Sequence, residues 1–463
     1  MSSSDVIAST AWPDSWRTLE HGVRTGRYID PKFAELEYEK LWNEVWQSAA
    51  RLDEIPNPGD YTTYDIGRQS ATVVRVDENT VKAYHNACPH RGTALSEGCG
   101  TFDNARIVCP FHGWKWDLSG NNFFIMEPQE FKNGELTAKD VHLKELHCEV
   151  YAGFVFISFS KNPQPFAEYI APVKKYLDGL AVGDMRHYWW RRIEGDCNWK
   201  VAQEAFFETF HVPCTHPQLD PVGKTVIYDD VHVPGKPLNH EHVLTEGFEQ
   251  GHGRFYAGQK PMSSDAANAG EEQLDYMIEH MQHLVHEMDA MVLQRDVDAA
   301  MSLKGKPLPE GSSYGAEFIK AIYGQAAAEQ RPMPVPTPDT TAMWGGEVFI
   351  FPNLLILPNL GNIMMYRIRP NGDDPNKCIF EIYSTTTYGP DVKVPRAEPM
   401  IVTDATDPEQ LLLIPRQDFG NVARIQRGLH SKGLKQIWLA KNHEAMILNM
   451  HKWLDKYLGA PDA

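Results

Sequence analysis

Residues 88–92 read Cys-Pro-His-Arg-Gly and residues 109–114 read Cys-Pro-Phe-His-Gly-Trp. Each stretch offers one thiolate and one imidazole, from Cys88 and His90 and from Cys109 and His112. Two cysteines on one iron and two histidines on the other can hold a [2Fe–2S] cluster. Neutral imidazoles in place of two thiolates raise the reduction potential and leave a histidine edge by which an electron can depart. The flanking Pro and Gly residues suit tight loops whose backbone N–H groups can point at cluster sulfurs. The competing chemistry for these residues is a Cys₂His₂ zinc site. Zinc ligands usually come paired like with like, a few residues apart. Here one residue separates Cys88 from His90 and both halves are mixed, which favours the cluster. Cys99 lies between the halves without a histidine at matching spacing and is left out of the set.

Around these loops the sequence has a β texture. Short β-rich runs at 61–66, 71–76, 81–85, 107–109 and 153–159 are separated by Gly and Pro, which predicts a small antiparallel β domain over 47–162. Asn162, Pro163 and Pro165 read as the linker that ends it. Residues 1–46 read as a helical segment, with Phe33, Leu36, Leu41, Trp42 and Val45 at helical spacing. Beyond the linker, 163–463 reads as a second domain. A helix (166–180) and a strand (187–193) open it, and a helix from about Lys200 follows. Strands return at 346–357, 363–368 and 379–387, and a long amphipathic helix over 434–458 closes the chain. Residues 251–333 read as a helical insertion, whose His280, His283 and His286 look like a solvated helix face beside Glu279 and Glu287.

The bulk properties exclude several functions. The chain has 463 residues, a formal charge of −18 and no Lys/Arg-rich run, so nucleic acid is not an expected partner. Its most apolar stretch, 348–365, is interrupted by Pro352, Asn353, Pro358 and Asn359. A membrane span needs about 20 continuous apolar residues, so this is buried strand. Residues 1–16 lack the basic and apolar regions of a signal peptide. Seven scattered cysteines do not form a secreted disulfide framework, and a reducing cytoplasm is the expected compartment. No Gly-rich dinucleotide fingerprint occurs, so electrons must come from a separate protein.

A second metal motif lies in residues 198–217, Asn-Trp-Lys-Val-Ala-Gln-Glu-Ala-Phe-Phe-Glu-Thr-Phe-His-Val-Pro-Cys-Thr-His-Pro. Glu204, Glu208 and His211 are four and three apart, which predicts one shared helix face. Pro213 ends that helix and lets His216 swing round to face His211. Two imidazoles and a carboxylate make the facial triad of non-haem Fe(II) oxygenases. Cys214 reads as a small buried residue, and of Phe206 and Phe207 one reads as core and the other as pocket lining.

Together with Trp114-Lys-Trp-Asp117 and Tyr151-Ala-Gly-Phe-Val-Phe-Ile157, these motifs resemble the α subunits of Rieske non-haem iron oxygenases, the ring-hydroxylating dioxygenase family. The likeness covers most of the chain outside 251–333. It implies an α+β fold, with an N-terminal antiparallel-β Rieske [2Fe–2S] domain and a helix-grip (START-like) catalytic domain. It also implies that His211 and His216 bind a mononuclear Fe(II) and that Glu208 bridges to the cluster. The third ligand should be Asp418, eight residues before Gln426-Arg-Gly428, with Asp407 or Glu409 as alternatives. Ala205 and Phe210 depart from the family's Asn and Tyr, which suggests a roomier, more apolar pocket lined by Ala205 and Phe206. The implied function is O₂ activation and hydroxylation of an apolar aromatic or polycyclic substrate. Monooxygenation or O- or N-demethylation by the same iron set is the alternative, and a Rieske electron-transfer protein without catalysis is the rival from another class. The implied partners are a ferredoxin or reductase drawing on NAD(P)H, and further copies of the chain in a homotrimer or α3β3 assembly.

Overall fold

The computed structural model describes residues 12–209, 211–219, 243–257, 271–341 and 343–461. The β texture around the cluster loops becomes a seven-stranded sheet. Its strands are β1 (Gln47–Arg51), β2 (Asp60–Ile66), β3 (Gln69–Arg75), β4 (Val81–His85), β5 (Cys99–Thr101), β6 (Glu145–Tyr151) and β7 (Phe154–Ser158), in the order β1-β7-β6-β4-β3-β2-β5. In β2 burial alternates residue by residue, as the pleat requires. Strands Arg106–Val108, Lys115–Asp117 and Asn122–Phe124 form a separate small sheet. The two candidate cluster loops follow β4 and Arg106–Val108, and between them lies a core of Tyr84, Ile107, Trp114, Trp116 and Val141.

The second sheet has eight strands. They are β8 (Arg186–Gly195), β9 (Val243–Gly247), β10 (Gly253–Ala257), β11 (Glu347–Ile350), β12 (Leu354–Pro358), β13 (Asn362–Pro370), β14 (Cys378–Thr386) and β15 (Met400–Val402), ordered β9-β10-β11-β12-β13-β14-β8-β15. Alternation sends Val348, Ile350 and Met365 to one face, where helix Phe166–Leu177 covers them. Phe349, Leu355, Tyr366 and Phe380 line the other face, against Met446, Ile447, Met450 and Leu454 of the last helix, Ala445–Leu458. A sheet packed around a closing helix is the helix-grip arrangement implied by the resemblance.

Arg367 and Arg369 are structural. Arg367 Nε donates to Glu381 Oε2 at 2.7 Å, and Arg367 Nη1 reaches Glu54 Oε1 at 3.3 Å, tying this sheet to the segment after β1. Burial alone would raise the Glu381 pKa, but the Arg367 and Arg369 guanidiniums hold it down to about 2.

Three elements differ from the sequence expectation. The closing helix begins at Ala445, because Gln436–Trp438 is spent as a strand pairing with Gly22–Arg24. The N-terminal segment therefore carries strands as well as helix Pro31–Glu37. Within the stretch read as an insertion, Gly253–Ala257 is a sheet strand paired with β11. Among the other described residues of this stretch, helices Glu271–Glu287, Gln294–Met301 and Tyr314–Ala328 enclose a core of Leu274, Ile278, Met281 and Val297. Among the described residues, no helix is long and apolar enough to cross a membrane. All seven cysteines are free thiols.

Candidate metal centres and active site

The two cysteine–histidine loops have the same local construction. Gly92 N–H donates to Cys88 O at 2.8 Å and Gly113 N–H to Cys109 O at 3.0 Å, closing each loop. Gly92 and Gly113 have φ of +79° and +67°, the left-handed region where a side chain is strained. Cys88 and Cys109 are buried at 2% and 1% exposure, while His90 and His112 are half-buried. Backbone N–H groups of His90 and Arg91 point at the Cys88 sulfur, as expected for a cluster cradle. The His90 and His112 rings lie 4.4 Å apart, and His90 stacks on Trp114 at 4.8 Å. Nδ1 of His90 is buried without a hydrogen-bond partner among the described residues. A buried thiol pair, an orphaned imidazole nitrogen and an exposed histidine edge fit a [2Fe–2S] cluster. Among the described residues these four donors do not form a group close enough to share one ion, as a zinc site requires.

The second centre is assembled from two distant segments. Helix Trp199–Glu204 is wholly buried and anchored at its N-terminus. Asn198 caps it by accepting Lys200 N–H at 3.0 Å, and a buried Lys200–Glu37 ion pair of 2.6 Å fixes its side. The expected continuous helix to His211 does not form. It ends at Glu204 and restarts as Val212–Thr215. Pro213 lies in the first turn of this second helix, where its missing N–H costs no hydrogen bond, so it opens a helix and does not end the earlier one, as the sequence reading expected. Glu204 consequently turns away from the site and accepts hydrogen bonds from Tyr28 Oη at 3.0 Å and His451 Nε2 at 2.8 Å.

Helix Leu413–Leu429 brings in the carboxylate. Gln426 accepts Asn198 N–H at 2.9 Å, and Asn421 donates to Thr215 Oγ1 at 3.0 Å, so this helix is fastened both to the start of helix Trp199–Glu204 and to the segment that carries His211 and His216. His211, His216 and Asp418 then converge, with one ligand atom from each within 4.8 Å of the others. His216 Nε2 lies 3.0 Å and His211 Nε2 3.8 Å from Asp418 Oδ1. Both Nδ1 atoms are held from behind. His211 Nδ1 donates to Glu208 Oε1 at 2.9 Å and His216 Nδ1 to Gln417 Oε1 at 2.9 Å. Such partners fix ring orientation and leave Nε2 free for a metal. Burial opposes protonation of His211, but Glu208 and Asp418 outweigh it and raise its pKa.

Glu208 differs from expectation in one respect. Its Oε2 is engaged, accepting the backbone N–H of His211 at 2.9 Å. Asp407 lies in the loop before the helix and accepts Glu409 N–H at 2.9 Å, and neither residue joins the converging group. Cys214 is exposed. Phe207 is buried against Phe349, and Phe206 packs on Tyr366 at 4.2 Å. Phe210 lies outside the described residues. Sequence reasoning missed Gln417. Its one signal is adjacency to Asp418, which does not distinguish it from any other glutamine.

A mostly apolar cavity of about 510 Å³ lies between the ligand-bearing segment and the insertion helices. Thr209 and Val212 form one wall, and Met277, His280, Leu284 and Phe318 the other. Ala205 and Phe206 do not border it. His280 is half-buried here, and burial lowers its pKa, whereas His286 is exposed as expected.

Residues 45–141 match the Rieske [2Fe-2S] domain family, and residues 182–460 match the ring hydroxylating alpha subunit (catalytic domain) family. The chain is 28% identical over 232 residues to the glycine betaine monooxygenase oxygenase subunit of Pseudomonas aeruginosa, covering 49% of this chain and 52% of that one. It is 30% identical over 192 residues to the carnitine monooxygenase oxygenase subunit of Escherichia coli, covering 41% and 50%. The chain thus spans about half the length of the curated relatives it matches. Among solved structures, a quaternary ammonium Rieske monooxygenase in complex with L-carnitine aligns with a TM-score of 0.61 at 16% identity, over 97% of this chain and 99% of that one. Naphthalene 1,2-dioxygenase from Rhodococcus sp. bound to indole aligns with a TM-score of 0.61 at 17% identity, over 96% and 95%. At such identities the likeness establishes the fold alone.

Proposed function

Because this chain belongs to the ring-hydroxylating oxygenase α-subunit family, with a Rieske [2Fe–2S] domain ahead of its catalytic domain, we propose that it is the oxygenase component of a Rieske monooxygenase acting on a methylated ammonium compound. The observation that carries the oxygenase assignment is the convergence of His211, His216 and Asp418, each imidazole oriented through its Nδ1. A ferrous ion held there would supply reductive activation of O₂, fed by electrons from the cluster. The chain's own part is to present two neutral imidazoles and one carboxylate on one side only. Glu208 and Gln417 keep both rings in the tautomer that offers Nε2. The cavity beside Thr209 and Val212 holds the substrate in an apolar, water-poor setting. In an assembly of several copies, Glu208 links His211 to the partner subunit's His112. A ferredoxin or reductase supplies the electrons.

The names of the relatives favour a different substrate class from the one implied by the family resemblance. Curated relatives include glycine betaine, choline and carnitine monooxygenases, along with a methanesulfonate monooxygenase. A second reading, hydroxylation of an apolar aromatic or polycyclic compound, is favoured by the mostly apolar cavity lining. Product analysis under ¹⁸O₂ over methylated ammonium and polycyclic compounds separates them. We expect one labelled oxygen in the organic product of an ammonium substrate. Two labelled oxygens in an aromatic diol would instead establish the second reading.

Metal analysis tests the assignment as a whole. The purified protein should be red-brown, with about three irons and about two acid-labile sulfides per chain. Stoichiometric zinc without labile sulfide would end it, and about two irons with no third would reduce the chain to an electron carrier.

A further inference from the structure

We propose that Glu347 is the anionic group that selects a cationic head on the substrate, an inference that rests on the methylated-ammonium reading above. Glu347 opens β11 and is 0% exposed. Neither of its carboxylate oxygens has a hydrogen-bond partner among the described residues. The buried carboxylates that brace this fold are paired, Glu381 and Glu54 with Arg367 and Glu37 with Lys200. A buried carboxyl without a partner destabilises the fold as it stands.

Its position explains what it could serve. Val348 points to the outer face of the sheet, so Glu347 shares the inner face with Phe349. Its register partner on β10 is Phe255, which also belongs to the inner core. That face meets the ligand-bearing segment, since Phe207 packs on Phe349 at 4.5 Å and Phe206 on Tyr366 at 4.2 Å. Burial and then the charge of Glu208 raise the Glu347 pKa, so the two carboxylates feel each other. Tyr366 lies in the field of both Asp418 and Glu347. Just before β11, Trp344 and Gly345 line the cavity. Glu347 thus sits two residues beyond the cavity-lining Gly345, on the sheet face that meets the ligand-bearing segment, as a buried carboxyl among aromatic rings that stays uncharged without a partner and ionises when a cationic head comes beside it.

A trimethylammonium head has no N–H to donate. It is recognised by diffuse negative charge and by the faces of aromatic rings. A tert-butyl group has the same shape and gains nothing from a carboxylate, so the pair isolates the charge. The test is calorimetric binding to the holoenzyme of choline, L-carnitine and benzyltrimethylammonium. Each is compared with its carbon isostere: 3,3-dimethylbutan-1-ol, 3-hydroxy-5,5-dimethylhexanoate and neopentylbenzene. We expect the wild type to bind the ammonium member of at least one pair about tenfold or more tightly over its isostere, given an effective dielectric constant of about 20. Glu347→Gln should bind both members within about twofold, the loss expected when the charge term is removed. The variant should melt at or above the wild-type temperature, because a buried carboxyl without a partner is replaced by an amide of the same shape that can never carry charge. A variant that keeps the wild-type preference, melts lower or fails to fold overturns the role of Glu347 alone. A wild type without preference for the cation in any pair overturns this inference and the methylated-ammonium reading together.

Discussion

Asp418→Ala should abolish turnover and strip the mononuclear iron, while the protein stays red-brown with its cluster spectrum unchanged. Asp418 is the one carboxylate of the converging group, 7% exposed, with Oδ1 3.0 Å from His216 Nε2. Without it two neutral imidazoles remain, with no charge to balance Fe(II) and one fewer protein donor. Losing an outer partner of a metal ligand already weakens binding by about 10- to 100-fold, and loss of the ligand itself should exceed that. The fold should survive, because the Gln426 and Asn421 links that dock this helix are untouched. The cluster loops lie in a separate core, so they should be unaffected. Iron should fall from about three to about two per chain at constant labile sulfide. Retained turnover with about three irons would move the third ligand to Asp407 or Glu409.

The second large effect is expected at Glu208. Its two oxygens accept the Nδ1–H and the backbone N–H of His211, both at 2.9 Å. In Glu208→Gln one oxygen becomes an NH₂ group facing a donor. One of the two contacts must fail, and the negative charge beside His211 disappears. The iron ligands themselves are unchanged, so metal content should remain close to wild type. Reduction of the cluster by the donor protein should stay fast, since the cluster loops are untouched. Reoxidation of the reduced cluster by substrate and O₂ should collapse, if this carboxylate couples the two centres. Because Oε2 already serves the His211 backbone, a partner subunit's histidine bridged by Glu208, as proposed above, would have to share a carboxylate already engaged at both oxygens. The coupling is therefore sensitive to the loss of a single acceptor. For a solvated glutamate the same change would matter by less than about 0.5 kcal/mol. Stopped-flow recovery of the cluster absorbance decides between them, and recovery at the wild-type rate removes Glu208 from the electron path.

The candidate cluster site was legible because its four donors sit in two short loops, and within each loop a few residues of spacing set the donor geometry. Cys88, His90, Cys109 and His112 needed no tertiary information to be proposed as a donor set. His211 and His216 were legible for the same reason, five positions apart with a proline between them. The helix expected to join Glu204 to His211 failed, because the spacing of three side chains does not report where the backbone hydrogen bonds between them stop.

Asp418 stands 202 positions from His216, in a chain with 62 acidic residues, so only resemblance could single it out. The hydrogen bonds of Gln426 and Asn421 place it beside the histidines. Gln417 and Glu347 carry no local signature at all. The role of the one depends on a histidine that arrives from another segment. The role proposed for the other depends on its having no hydrogen-bond partner among the described residues of the core. Local spacing thus determined which loops could carry metal ligands, since a few bonds limit how far apart neighbouring donors can be. The docking of helix Leu413–Leu429 and the packing of the eight-stranded sheet decided which carboxylates are paired, which is oriented toward the histidines and which is left buried without a partner among the described residues. Pairing and desolvation are properties of contacts between distant residues, and no stretch of sequence contains them.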